Sequence, residues 1–139
     1  MKLSTRSRYG VRIMYELALH YGEGPVILKD IARWQEISEK YLSKLIIPLK
    51  AAKLVHASRG SHGGYNLTRE PSEISIREIV EVLEGDLRTV ECVHNGNTCT
   101  RSSECPVKEI WHRLDKSVLD VLDNIKLSDV VKKSISNNA

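Results

Sequence analysis

No apolar run in this 139-residue chain approaches the roughly 18 residues that a membrane-spanning helix needs. The opening stretch from Met1 to Arg12 is polar and basic, with no apolar signal-peptide core. Together these absences set the expectation of a cytoplasmic protein that does not engage a membrane. Cysteine is scarce: Cys92, Cys99 and Cys105 are the whole complement, and an odd number cannot form a closed set of intramolecular disulfides. No Cys-His pair and no Ser-His-Asp set has a recognisable catalytic spacing, which argues against an enzyme. Internal repeats and low-complexity tracts are also missing. The length fits one compact domain with an extension.

What is present is unevenly distributed. The net charge of +3 divides into +7 over residues 1–69 and −4 over residues 70–139. A basic first half suits a polyanionic partner, although a solvated charged face would have the same composition.

Apolar spacing organises that half into helices. Gly10, Ile13, Met14, Leu17, Ala18 and Tyr21 recur at helical intervals, so Ser4 caps a first helix ending near Gly22. Gly24-Pro25 breaks the chain, and Leu28 to Gln35 reads as a short second helix carrying Ile31, Ala32 and Trp34. Ser38 caps a third, with Tyr41, Leu42, Leu45, Ile46, Leu49 and Ala52 as its buried stripe and Glu39, Lys40, Ser43, Lys44 and Lys50 outside. Pro48 predicts a kink or restart, because an interior proline removes a hydrogen bond and costs about 3 kcal/mol. Two short helices with a tight connection, over about 28–51, form a helix-turn-helix. Two strand-like runs within about 54–67, separated by Arg59-Gly60-Ser61-His62-Gly63-Gly64, follow as a wing.

The second half begins with a capping box at Ser75-Ile76-Arg77-Glu78, opening a helix that ends at Gly85. Residues 86–105 then read as a long loop that contains all three cysteines, and loops of that length are usually functional or disordered. Pro106 is expected to open a helix over 106–127. Its stripe of Val107, Ile110, Trp111, Leu114, Val118, Val121, Leu122 and Ile125 has near-heptad spacing and needs an apolar partner. A second copy of the chain is the expected partner, packing on its own domain the alternative. Residues 128–139 read as a frayed, flexible tail. The predicted fold is mainly α: a winged helix-turn-helix DNA-binding domain over 1–85, a cysteine loop, and a long C-terminal dimerisation helix.

The candidate DNA-contact set is Ser38, Lys40, Tyr41, Ser43 and Lys44 at the start of the third helix, with Arg59 and Gly60 on the wing. A helix N-terminus with short polar and basic side chains suits a major groove, and an arginine between small residues suits a minor groove. Lys2, Arg6, Arg8 and Arg12 extend the positive surface, while His56 and His62 read as wing surface. A small electron carrier, the remote alternative, would need neither the helix-turn-helix nor the wing.

Three segments carry a family resemblance: Met1 to Gly10, Ile37 to Leu45, and Arg59-Gly60-Ser61-His62-Gly63-Gly64-Tyr65. They resemble the Rrf-type winged-helix transcription regulators, and within these the IscR-type iron-sulfur cluster regulators. The resemblance spans about residues 1–125. It implies a homodimer on double-stranded DNA with two-fold related half-sites, and repression of iron-sulfur assembly genes according to cluster supply. Lys40, Ser43 and Arg59 fall at positions that read DNA in IscR-type proteins, where a serine and a glutamate occupy the first two. Base preference is expected to differ accordingly.

Three thiolates in a Cys-x6-Cys-x5-Cys arrangement are soft ligands for an iron-sulfur cluster or for zinc. The resemblance implies a 2Fe-2S cluster completed by a histidine three residues after the last cysteine, where this chain has Lys108. His112, one turn further on, and His94 in the loop are the candidate fourth ligands; Glu91, Glu104, water or a group from a partner subunit remain open. Three Cys with one His also make an ordinary structural zinc set. Related nitric-oxide sensors complete a 4Fe-4S cluster with an N-terminal acidic residue, where this chain has Arg8. A nitric-oxide or redox response therefore stands as an alternative with altered chemistry.

Overall fold

The computed structural model describes residues 2–90, 100–101 and 103–138. Helix α1 (Thr5–Leu19) begins where Ser4 accepts the Ser7 amide proton. The backbone N–H and hydroxyl of Ser4, each at 2.6 Å, and the Ser7 hydroxyl, at 2.7 Å, all donate to one oxygen of Glu84. That carboxylate ends helix α4 (Ile76–Glu84), so the cap also fastens α1 to α4. Gly10 explains how closely they approach: a Cβ there would lie 2.0 Å from Cδ1 of buried Leu83.

Hydrogen bonds from Ser4 and then Ser7 hold the Glu84 carboxyl below its ordinary range. A depressed folded-state value stabilises the fold above the unfolded value of about 4.3 and loses that contribution as pH falls through the folded value. Glu84→Gln should therefore be less stable than the parent at pH 7, the deficit shrinking on acidification below about pH 4. Urea denaturation at both pH values checks this; a pH-independent deficit would contradict it.

Helix α2 (Leu28–Gln35) ends at Glu36, which adopts the left-handed conformation at φ 54°. The chain thus reverses within three residues before Ser38 caps α3 (Glu39–Ala51), accepting the Tyr41 amide proton at 3.1 Å. Leu42, Leu45, Ile46 and Leu49 are buried as the spacing predicts, whereas Ala52, expected in the stripe, is the exposed residue ending the helix. Helix α3 does not restart at Pro48. The acceptor that proline deprives is the carbonyl of Lys44, on the exposed face, where water can replace the missing donor.

Strands β1 (Val55–Ser58) and β2 (Gly64–Leu67) pair antiparallel, Val55 opposite Leu67 and Ser58 opposite Gly64. Val26, just before α2, adds a bridge to Tyr65 through two hydrogen bonds of 2.8 and 3.0 Å. A Cβ on Gly64 would sit 2.7 Å from the Val26 carbonyl, so this approach requires glycine. The base of the wing is thereby fixed to the start of the helix-turn-helix.

A short 3-10 turn (Pro71–Glu73) leads to α4 (Ile76–Glu84), with the Ser75-Glu78 capping box formed. Helix α5 (Lys108–Asn124) is capped at Val107, so Pro106 lies in the turn before the helix and not at its first position.

Residues expected to form a frayed tail are instead helix α6 (Leu127–Asn137). Leu127 is fully buried, its amide donates to Ile74 at 2.9 Å, and Ile76 returns a bond to Ile125 at 2.9 Å. Tyr15 on α1 and Ser134 on α6 share a hydroxyl hydrogen bond. Tertiary packing of the Leu127, Val130 and Val131 face stabilises a segment too polar at its end to read as helix. The core is aliphatic, centred on Ile13, Met14, Ile31, Leu42, Leu49, Ile74, Ile79 and Leu83.

Candidate nucleic-acid interface and cysteine segment

Ser38, Lys40, Ser43 and Lys44 are all exposed along the outer face of α3. Two are partly committed within the helix: Ser38 accepts from Tyr41, and the Ser43 hydroxyl donates to the Glu39 carbonyl at 2.9 Å. Among the described residues the side chains of Lys40 and Lys44 have no ion-pair partner, which leaves them open to phosphates. Ile47, which sequence reasoning left unassigned, lies one turn beyond Ser43 and Lys44 and is 65% exposed. Its signal in the sequence was only its absence from the buried stripe.

Tyr41 differs from the others. It is half-buried, its ring packs edge-on against Tyr9 with centroids 5.7 Å apart, and its hydroxyl hydrogen-bonds that of Thr5 at 3.1 Å. It braces α3 on α1. Arg12 is not a free surface cation either. Its Nε donates to the Gln35 side-chain oxygen at 2.6 Å, its Nη2 donates to the Gln35 carbonyl, and the guanidinium lies 5.3 Å from the Tyr9 ring centre. Gln35 in turn donates to buried Glu16. This network locks the end of α2 to α1 across 23 residues of sequence, a separation at which no local pattern reveals it. Lys2, Arg6 and Arg8 remain exposed.

On the wing, Arg59 and Gly60 are exposed at the tip, Gly60 at φ 105°. The Gly63 amide donates to the Gly60 carbonyl at 3.0 Å, closing a turn so tight that a Cβ on Gly63 would meet the Ser58 carbonyl at 2.5 Å. Arg59 is thus presented on a tight hairpin anchored through Val26 to the helix-turn-helix.

Of the metal-ligand candidates, Cys92, Cys99 and His94 lie outside the described residues. Cys105 is half-buried in the turn before α5, its carbonyl accepting the Lys108 amide proton at 3.3 Å. His112 is exposed on α5. Among the described residues no three His, Cys, Asp or Glu side chains converge on a metal position. Among them also, no helix is long and apolar enough to cross a membrane.

Helix α5 leaves most of its stripe uncovered: Ile110 is 54% exposed, Leu114 44% and Val121 58%, with Val107, Trp111 and Ile125 also open. Val118 and Leu122 are half-buried.

A helix-turn-helix followed directly by an anchored two-stranded wing, with the second helix presenting lysines, defines a winged-helix DNA-binding protein. The chain belongs to the Rrf2 family, described as an iron-dependent transcriptional regulator, whose profile matches residues 3–133. It is 43% identical over 130 residues to the HTH-type transcriptional regulator CymR of Bacillus subtilis, covering 94% of this chain and 89% of that one. Its fold is similar to the solved structure of B. subtilis CymR, the global cysteine regulator, with a TM-score of 0.83, 42% identity and coverage of 96% and 98%. It is similar also to T. potens IscR, with a TM-score of 0.79, 42% identity and coverage of 96% and 88%. The chain is accordingly a DNA-binding transcription regulator and not an enzyme.

Proposed function

We propose that this protein is a homodimeric, cytoplasmic regulator that reads two-fold related DNA half-sites with α3 and the wing, and whose DNA affinity responds to an iron-sulfur cluster on Cys92, Cys99 and Cys105. Residues 1–85 form the DNA-binding unit, 86–105 the cysteine segment and α5 the dimer contact. Ser38, Lys40, Ser43 and Lys44 meet the major groove, Arg59 and Gly60 the minor groove, and Tyr41 holds α3 in place. Ile47 adds an apolar contact of the kind that recognises a thymine methyl group.

The observation that carries the sensing role is the position of Cys105. It is half-buried at the approach to α5, where the helix N-terminus favours negative charge. The donor set suits the group: three thiolates are soft ligands, and a bound cluster would supply a centre sensitive to iron and oxidants. His112 or His94 would be the candidate protein nitrogen ligand for the remaining position, with Glu91, Glu104, water or a partner-subunit group as the other candidates and zinc the competing metal.

A second reading is favoured by Lys108, whose ammonium is a poor metal ligand where IscR-type proteins have histidine, and by the identity to CymR. In it the chain regulates without a cluster.

Anaerobic purification without chelators, followed by iron, sulfide and zinc analysis, separates these readings. Iron and sulfide near two per subunit are expected, lost together when all three cysteines are replaced by alanine while the helical circular dichroism is retained. Stoichiometric zinc alone would replace sensing with a structural metal. No metal at all would favour the CymR-like reading.

A further inference from the structure

Between α1, α6 and the last residue of α2 lies a cavity of about 460 Å3, within the size range of small-molecule sites. Val11, Tyr15 and Val130 line its walls, and the Tyr15 hydroxyl is already satisfied by that of Ser134. Two cations line it as well, Arg12 and Lys133, and no acidic side chain among the described residues does. Lys133 has no ion-pair partner among those residues. Arg12 carries five N–H donors, and its two bonds to Gln35 occupy two of them. Apolar walls with two cations and no acid are complementary to one class of small molecule, a carboxylate on a short apolar body. Gln35 also faces this cavity, and it is where α2 ends. Arg12 holds its side-chain oxygen and its carbonyl, buried Glu16 holds its side-chain nitrogen, and Ser38, the cap of α3, follows three residues later.

We propose that this cavity is an effector site for a small carboxylate with an apolar body, and that its occupant loosens the hold of α1 on the helix-turn-helix. The effect on DNA rests on the reading of α3 as the helix that meets the major groove; binding of the carboxylate does not. A carboxylate is a stronger acceptor for a guanidinium than an amide or peptide oxygen, so Arg12 turning to the ligand gives up part of its hold on Gln35. Lys133 supplies a second charge-assisted contact from α6, and the apolar body displaces water from Val11 and Val130. The arrangement that grips Gln35 and the one that releases it then differ in affinity for the ligand, which is the condition for a ligand to shift their populations.

Hexanoate is the probe, with hexanamide as its uncharged counterpart. Calorimetric titration of the DNA-free protein should give saturable hexanoate binding, with hexanamide at least about tenfold weaker. Amide chemical-shift changes should concentrate at Val11, Tyr15, Gln35 and Val130. Lys133→Gln should weaken hexanoate about tenfold and Lys133→Arg restore it, while Asn137→Trp, which adds bulk at an exposed residue of the cavity rim, should exclude it. On a duplex that wild type selects from a random library, at constant ionic strength, saturating hexanoate should raise Kd at least about 5-fold. Lys133→Gln at the same hexanoate concentration should lose most of that response. No saturable binding, shifts centred elsewhere, or equal binding of hexanoate and hexanamide overturns the site. Binding in the cavity with an unchanged duplex Kd overturns its role as an effector and leaves the DNA-binding function standing. A ligand-free protein that selects no duplex overturns the DNA-reading proposal, whereas calorimetry and chemical shifts still decide the site.

Discussion

Replacing Ile110 and Val121 together with glutamate should convert the protein to a species sedimenting at the 15.7 kDa of one chain. Both side chains are more than half exposed on α5, so the substitutions disturb little packing among the described residues and the melting transition of each chain should change little. In a dimer the same positions would be buried face to face, where unpaired charges are strongly unfavourable. The effect on DNA should be large. Two half-sites bound by linked subunits gain effective concentration, and losing the linkage costs a factor of about 100 or more. Analytical ultracentrifugation and a fluorescence titration on a two-half-site duplex check both effects. A dimer that persists with unchanged affinity would move the subunit contact away from this stripe.

Lys44→Ala and Arg59→Ala should each weaken DNA binding without unfolding, because both side chains are exposed. A phosphate contact contributes about one unit to the slope of log K against log salt, and a dimer has two copies, so each substitution at a phosphate should lower the slope by about 2. Arg59, if its guanidinium enters a narrow minor groove, should in addition relax discrimination at the bases beneath the wing. Titrations at several salt concentrations separate the two roles. Unchanged affinity for Arg59→Ala would exclude the wing from the interface.

Much of the DNA-binding half was legible because its signals are local. Ser4, Ser38 and Ser75 cap helices within their own first turns, and the spacing of apolar residues placed α2 at Leu28–Gln35, matching the observed bounds. Glycines around Arg59 marked the hairpin. Arg12 was misassigned to the outer surface for the converse reason: its partners, Gln35 and Tyr9, depend on how α1 and α2 pack. The tail was misread because α6 owes its stability to Leu127 beneath Ile74 and to Tyr15 bonding Ser134, contacts that no helix propensity encodes. Nothing in the spacing of α5 marks Asp115, which is distinguished by its depth and by the Thr89 amide that donates to it.

By itself the sequence determined the succession of helices, the turn, the wing, the basic first half and the clustering of three thiols within 14 residues. These follow from periodicity, capping and composition, which act over a few residues. Tertiary structure decided which cations remain exposed, that the last helix forms, that Tyr41 braces its helix, and that Asp115 is buried where the Thr89 amide donates to it. Those outcomes depend on burial and on partners far apart in the chain, where the cost of leaving a polar group unpaired is set by the surrounding fold and not by neighbouring residues.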